Sequence, residues 1–490
     1  MMKCPSKRLL LALLAAVPCL LFVFHFEALQ GVFNERVVLT RVWPLSASTL
    51  RTSMSLTATD NYATSQSVKT FEKRRKHYID ACAKTPVATY FRPSPFNRVQ
   101  LLRARNLAYC NVAKTGSTLW KQIIYYVQTR QNGSFYDTNF KDIHNKMGTR
   151  RQTADQLSGQ HVQTVVFVRE PYSRLFSAYV DKMFRPSVHN WNHFAAPVLH
   201  YNLNLTAEEA MKRRPCTSHV TFPQFIRYFI DAETGVAPSI RRNPHYIPVS
   251  QHCGFCTGRY DLDSLNHADF QRLHNSGNDG ARDCDREGSN CPDAWRSGFV
   301  FDFIGKTEDI STDTHAVFKL LNLSHTLPSN FDIDVDARRN TIINHVRKVF
   351  REDLPQSRMQ ECMTKDEALR RVWENFQIRG LLSKRERFPF SPTVAQNATM
   401  MQFMELALFA FGRSQKDPDL KSNKKLAMTE AYGMIKLKDR KLLREIFEKD
   451  FQLFDYPSTI PEVFPKNDVF TSGYFELLDM FDSGLKQLPM

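Results

Sequence analysis

"YCNVAKTGSTLWKQ", residues 109–122, is the stretch on which the fold turns. Its first half is apolar and suits a buried strand. Leu119, Trp120, Ile123, Ile124 and Val127 then recur at helical spacing, which places a helix start near Ser117. Lys114, Thr115, Gly116, Ser117 and Thr118 therefore fall in a strand-to-helix turn, where unbonded backbone N–H groups and the positive end of a helix dipole face outward. Gly116 lets the backbone approach a ligand closely, Ser117 and Thr118 add hydroxyl donors, and Lys114 adds charge. The triphosphate-loop pattern is not met, because it needs an upstream glycine and a Gly-Lys pair followed at once by Ser or Thr. An ordinary helix cap by Ser117 is the plain alternative to an anion site.

A second segment, "TVVFVREPYSRLFSAYVDKM" (164–183), repeats the plan. Its β-branched run suits a central parallel strand. Pro171 stands where the first turn of a helix tolerates it. Tyr172, Leu175, Phe176, Tyr179, Val180 and Met183 follow on one helical face, with Arg174, Ser177 and Asp181 opposite. Such a polar face is usually solvated, yet Arg169 at the strand end and Ser177 along the helix can fork a phosphate between them.

The rest of the chain supplies the setting. Its 490 residues carry a formal charge of +16, which favours an anionic partner; the basic residues are scattered, which argues against nucleic acid. Lys3, Lys7 and Arg8 precede an uncharged apolar run from Leu9 to Phe26, so a cytoplasmic tail (1–8), a signal-anchor (9–26) and a lumenal remainder are expected, with a cleaved signal peptide as the alternative. Of ten cysteines, Cys4 and Cys19 lie in the tail and anchor; the other eight, with sequons at Asn132, Asn204, Asn322 and Asn397, fit an oxidising, glycosylating compartment. Ser/Thr-rich sequence within 27–69 reads as a stem, "FEKRRKHYIDACAKTP" (71–86) as a helix, and 70–490 as the globular domain. Residues 271–298 form a polar loop that Cys284 and Cys291 can staple, and 383–425 reads as irregular. Residues 437–456 read as one amphipathic helix with Leu443, Phe447, Phe451 and Phe454 on its inner face.

"KTGSTLWK" (114–121) and "VREPYSRLFSA" (168–178) together resemble the two donor-binding motifs of the Golgi carbohydrate sulfotransferases of the HNK-1 and chondroitin/dermatan 4-O-sulfotransferase family. "FEKRRKHYIDAC", "FPQFIRYFI", "NPHYIP", "CGFC", "FDFIGKTED" and "EKDFQLFDY" are similar to further pieces of that family in the same order, from about 70 to 456. The chain departs from the family pattern at Ala113, where proline is usual, at Tyr246, where tryptophan is usual, and in "CGFC". The 271–298 and 383–425 stretches read as insertions.

The resemblance implies an α/β, P-loop-like sulfotransferase fold: a central parallel sheet flanked by helices, preceded by one transmembrane helix. It implies a single-pass type II protein of the Golgi membrane, 3′-phosphoadenosine 5′-phosphosulfate (PAPS) as donor, and a glycan hydroxyl as acceptor, with no metal. Ala113, Lys114, Thr115, Gly116, Ser117, Thr118 and Leu119 are expected to wrap the 5′-phosphosulfate. Lys114 should reach the bridging oxygen, and Arg169, Ser177 and Arg174 are candidates for the 3′-phosphate. His245 is the candidate general base, against a packing role. In a lumenal protein Cys253 and Cys256 are expected in disulfides with other cysteines rather than on zinc. Three other functions compete. "DLD" (261–263) and "DID" (332–334) offer the Asp-x-Asp of a metal-dependent glycosyltransferase, the charge alone would serve a non-enzymatic binder of acidic glycans, and a kinase fits least because the triphosphate pattern fails.

Overall fold

The computed structural model describes residues 59–84, 99–102, 107–129, 143, 163–213, 216–237, 242–253, 255–256, 301–324, 332–465 and 473–475. The chain separates into two units, Met1–Tyr62 and Ala63–Met490; the elements below belong to the second, except that the first helix begins at Thr59. The 9–26 run, the 271–298 stretch with Cys284 and Cys291, and "DLD" lie outside the described residues. No helix among the described residues is long and apolar enough to cross a membrane.

Four strands form one sheet in the order β1 (Val99–Leu102), β2 (Leu107–Cys110), β3 (Gln163–Val168), β4 (Phe303–Lys306). β1 is antiparallel to β2, while β2, β3 and β4 are parallel. The strict two-residue alternation of a strand divides the core between the two faces. Tyr109, Val165 and Phe167 pack on one side with Trp120, Ile123, Ile124, Val317 and Phe318, which come from helices α2 (Ser117–Thr129) and α5 (Ile310–Leu320). Ala108, Cys110, Val166 and Val168 face the other side, against Tyr78 of α1 (Thr59–Lys84) and Val249, Phe255 and Phe454. Burial on both faces is why "TVVFV" is continuously apolar rather than alternating.

α1 covers the β4 side. Arg74 donates to the Ile304 carbonyl at 3.1 Å and to Asp313 at 2.6 Å, satisfying an edge carbonyl that would otherwise need water. The helix starts at Thr59, not near Phe71, so its first turns come from the Ser/Thr-rich stretch. A helical core lies beyond the sheet, with α3 (Pro171–Tyr179), α4 (Phe222–Glu233), α9 (Leu420–Gly433), α10 (Leu437–Ile446) and α11 (Glu448–Phe454) sharing one apolar cluster. α6 (Ile333–Lys348), α7 (Lys365–Ile378) and α8 (Met400–Ser414) share another.

Two sequence expectations need correction here. The 383–425 stretch is mostly helical: Ser391 and Thr399 cap successive helices, and Phe403, Met404, Ala407, Ala410 and Phe411 bury the inner face of α8. The 437–456 stretch is two helices, broken at Phe447. Its Leu443, Phe447, Phe451 and Phe454 are all buried as expected, because the apolar period runs on through the break.

Three disulfides join distant parts: Cys82–Cys256, Cys110–Cys253 and Cys216–Cys362. The "CGFC" cysteines are therefore in disulfides with α1 and with the end of β2. Cys110 and Cys253 are 143 residues apart in sequence, so opening that bridge frees a long loop in the unfolded chain. Replacing both by serine should lower stability by roughly 2–5 kcal/mol, read from chemical denaturation under oxidising conditions.

Candidate functional site

The β2–α2 turn leaves its acceptors satisfied and its donors open. The Val112 carbonyl accepts from the Thr115 hydroxyl (2.9 Å), the Ala113 carbonyl from Arg174 Nε (3.0 Å), and the Lys114 carbonyl from Arg169 Nη1 (3.2 Å). Among the described residues, the N–H groups of Lys114 to Thr118 make no short, well-aligned bond to a backbone acceptor, and the Ser117 and Thr118 hydroxyls meet no partner. Lys114 (φ 70°) and Gly116 (φ 79°) both adopt left-handed backbone, which curls successive N–H groups into a concave nest. A lysine held there costs on the order of 1–3 kcal/mol, a strain the rest of the loop must hold in place. A turn with committed carbonyls and open N–H groups suits an anion and repels a cation.

Below the turn, Trp120 is fully buried, stacked on Tyr109 at 5.3 Å and against Phe167 at 5.1 Å. This pins the start of α2 to the tips of β2 and β3. The Leu119 side chain also lies in that core, so only its backbone reaches the turn.

β3 delivers Arg169 at its tip. Arg169 Nε donates to Ser173 Oγ at 3.1 Å, one helical turn into α3, so Ser173 is the serine the arginine touches. Ser177 lies one turn further along the same face, half-buried and without a partner among the described residues. Glu170 caps α3 by accepting from the N–H groups of Tyr172 and Ser173, and burial raises its pKa to about 7. Glu308 accepts from the Glu170 N–H and from Tyr456. Arg174 is only 1% exposed and fully engaged. Besides the Ala113 carbonyl it donates to the carbonyls of Ile247 (2.5 Å) and Pro244 (3.1 Å) and lies 3.4 Å from His252. The face opposite the α3 core stripe is thus buried against the 243–252 loop, not solvated.

Asp181 is the electrostatic centre of the site. Its carboxylate pairs with Lys114 (2.9 Å), Lys182 (3.5 Å) and Arg185 (3.4 Å), and Arg379 at the end of α7 is within charge reach. Burial opposes its ionisation, but these cations together hold its pKa well below the carboxylate range. Burial lowers the Lys114 pKa, and Asp181 pulls it back up. One carboxylate among four cations leaves the pocket short of negative charge.

His245 faces this group. Its Nδ1 lies 2.8 Å from Asn243 Oδ1, which fixes that nitrogen as the donor and leaves Nε2 with a free lone pair. Burial first, then Lys182 and Lys114, keeps the imidazole pKa well below 6.5, so the ring is neutral near pH 7. Phe194 meets the ring edge-on at 5.2 Å, and Lys182 lies 4.9 Å over Phe194. The loop is anchored from behind: buried Asp450 of α11 accepts from the N–H groups of Val249 (2.6 Å) and Ser250 (2.8 Å). Tyr246, in place of the usual tryptophan, is core, edge-on to Phe225.

Of the sequence candidates Lys114, Arg169, Arg174, Ser177 and His245, the fold ties four: Arg169 and Arg174 donate to the turn that carries Lys114, and Arg174 also holds the loop that carries His245, while no contact among the described residues joins the Ser177 side chain to them. Ser173 was legible as the residue four after Arg169. Lys182, Arg185 and Arg379, and the pairing of Asp181 with Lys114, carry no local signal. The "DID" triplet serves a helix: Asp332 caps α6 by accepting from Asp334 and Val335. No group of three or more potential metal ligands is present among the described residues.

Residues 101–272, which hold both turns and the His245 loop, match the sulfotransferase family. Carbohydrate sulfotransferase 8 of Mus musculus is 29% identical over 203 residues, covering 40% of this chain and 46% of the relative. Carbohydrate sulfotransferase 9 of Homo sapiens is 26% identical over 244 residues, covering 48% and 52%. Carbohydrate sulfotransferase 14 of Homo sapiens is 28% identical over 158 residues, covering 31% and 39%. The chain thus spans about half the length of the curated relatives it matches, and no solved structure matches it significantly.

A Cβ at residue 116 would sit in left-handed backbone and run into Ile310 Cδ1. Gly116→Ala should therefore cost about 1–3 kcal/mol, seen as a lower melting temperature, and weaken anion binding at the turn.

Proposed function

We propose that the chain transfers a sulfuryl group from PAPS to a hydroxyl of a glycan sugar, acting as a carbohydrate sulfotransferase. The observation that carries this is the β2–α2 turn, with its carbonyls held by two arginines and its N–H groups left for an anion. The matched family and the relatives' names support the same chemistry. A glycosyltransferase reading loses its described acidic triplet to a helix cap. The expected signal-anchor and the disulfides fit a lumenal Golgi setting.

In this mechanism the main-chain N–H groups of residues 114–118, with Ser117 and Thr118, hold the 5′-phosphosulfate. Arg169, Ser173 and Ser177 face the 3′-phosphate. Arg174 binds no donor atom; it braces the turn against the base loop. His245 Nε2 takes the proton of the acceptor hydroxyl as its oxygen bonds to sulfur, while Nδ1–H stays on Asn243. The bond from sulfur to the bridging oxygen breaks, and adenosine 3′,5′-bisphosphate leaves. Lys114 neutralises the charge gathering on that oxygen, an interaction worth more in the transition state than in the ground state. Asp181 holds the lysine at hand until the donor competes for it.

Lys114→Ala should lower turnover by about two orders of magnitude or more, measured as sulfate incorporation from labelled PAPS into desulfated glycans. Near-normal turnover in a folded variant rejects the role. His245→Asn should lose about 10²–10⁴-fold. Because the imidazole pKa is depressed, the base is already unprotonated in the neutral range, and wild-type turnover should not fall as pH drops from 7.5 towards 6. A fall centred near 6.5 would contradict the environment described for His245.

A further inference from the structure

The proposed donor site draws on β2, β3 and α3, but a further cation reaches it from the C-terminal helices, outside the family-matched residues. α9 packs on α3: the Tyr432 hydroxyl donates to the Tyr172 carbonyl at 2.9 Å, and Ala427, Met428 and Ala431 share a buried cluster with Tyr172, Leu175 and Phe176. At its other end Asn423 donates to the Leu382 carbonyl at 3.1 Å, which ties the first turn of α9 to the chain just after α7. Lys424 therefore sits one turn before Ala427 and Met428, on the face turned to α3. It is half-buried and has no hydrogen-bond or ion-pair partner among the described residues.

The groups acting on that ammonium are, in order, Arg169, Glu308, Glu170 and Arg379. The largest of these charge influences comes from the arginine at the tip of β3. Each carboxylate is already engaged: Glu170 caps α3, and Glu308 accepts from the Glu170 N–H and Tyr456. Burial, with repulsion from Arg169 added to it, brings the Lys424 pKa down to about 7. Two like charges facing each other in a partly dry pocket are unfavourable alone and become favourable when a dianion lies between them.

We propose that Lys424 is a donor-binding residue, which with Arg169 grips the 3′-phosphate of the nucleotide and makes the α9 segment part of the donor site. This rests on the sulfotransferase reading, and the test separates the two. Affinities of the full chain for adenosine 3′,5′-bisphosphate and for adenosine 5′-phosphate would be measured by calorimetry for wild type, Lys424→Ala and Lys424→Arg. Removing one charge-assisted contact should weaken bisphosphate binding about 10–100-fold in Lys424→Ala. Binding of the monophosphate, which lacks the gripped group, should change less than about threefold, and Lys424→Arg should recover most of the bisphosphate affinity. Unchanged bisphosphate affinity in Lys424→Ala, or an equal loss for both nucleotides, overturns the assignment while leaving the reaction intact. Wild-type protein that binds neither nucleotide overturns the sulfotransferase reading itself.

Discussion

Arg174 is the tie on which the site depends. One guanidinium, buried and locked on α3, donates to the turn after β2 and to two carbonyls of the loop that carries His245. Guanidinium is suited to this because its donors are fixed in a plane and it stays charged even when buried. Three chain segments far apart in sequence thereby keep one spacing, and the β2–α2 turn cannot shift without the His245 loop feeling it. Burying such a group is costly unless its donors find acceptors, and here carbonyls supply the hydrogen bonds while the buried Asp450 carboxylate adds an attractive charge.

Charge is then distributed around this frame. The pocket holds Lys114, Lys182, Arg185 and Arg379 around one carboxylate, Asp181. The imbalance adds to burial in keeping the His245 imidazole neutral, and it favours an anionic ligand. A neutral imidazole with one nitrogen committed to Asn243 is a base with a defined direction. Cations that disfavour its protonation would also attract an anion, so one set of charges acts on both.

Much of this was legible in the sequence wherever the relevant physics is local. Both strand–turn–helix units show as a change of apolar period, and Pro171 and Gly116 mark the turns. The pairing of Cys253 and Cys256 with other cysteines followed from compartment rather than spacing. The helices of 383–425 were missed because their caps and small buried alanines make a weak pattern beside prolines and polar residues. The break at Phe447 was invisible because the same apolar face continues across it. Arg174 looked like a ligand because its sequence neighbourhood resembles a phosphate site, whereas its acceptors lie about seventy residues ahead of it and some sixty behind. Lys424 gave no signal at all, since nothing near it in the chain hints at Arg169.

The disulfide between Cys110 and Cys253 has a consequence for when the protein becomes competent. It staples the last residue of β2, four before Lys114, to the segment that follows His245, and Cys82–Cys256 fastens the same segment to α1. Thiol oxidation is thus a maturation step for the pocket as well as for overall robustness. Under reducing conditions the chain would lack both staples just where the His245 loop and the Lys114 turn are held in register.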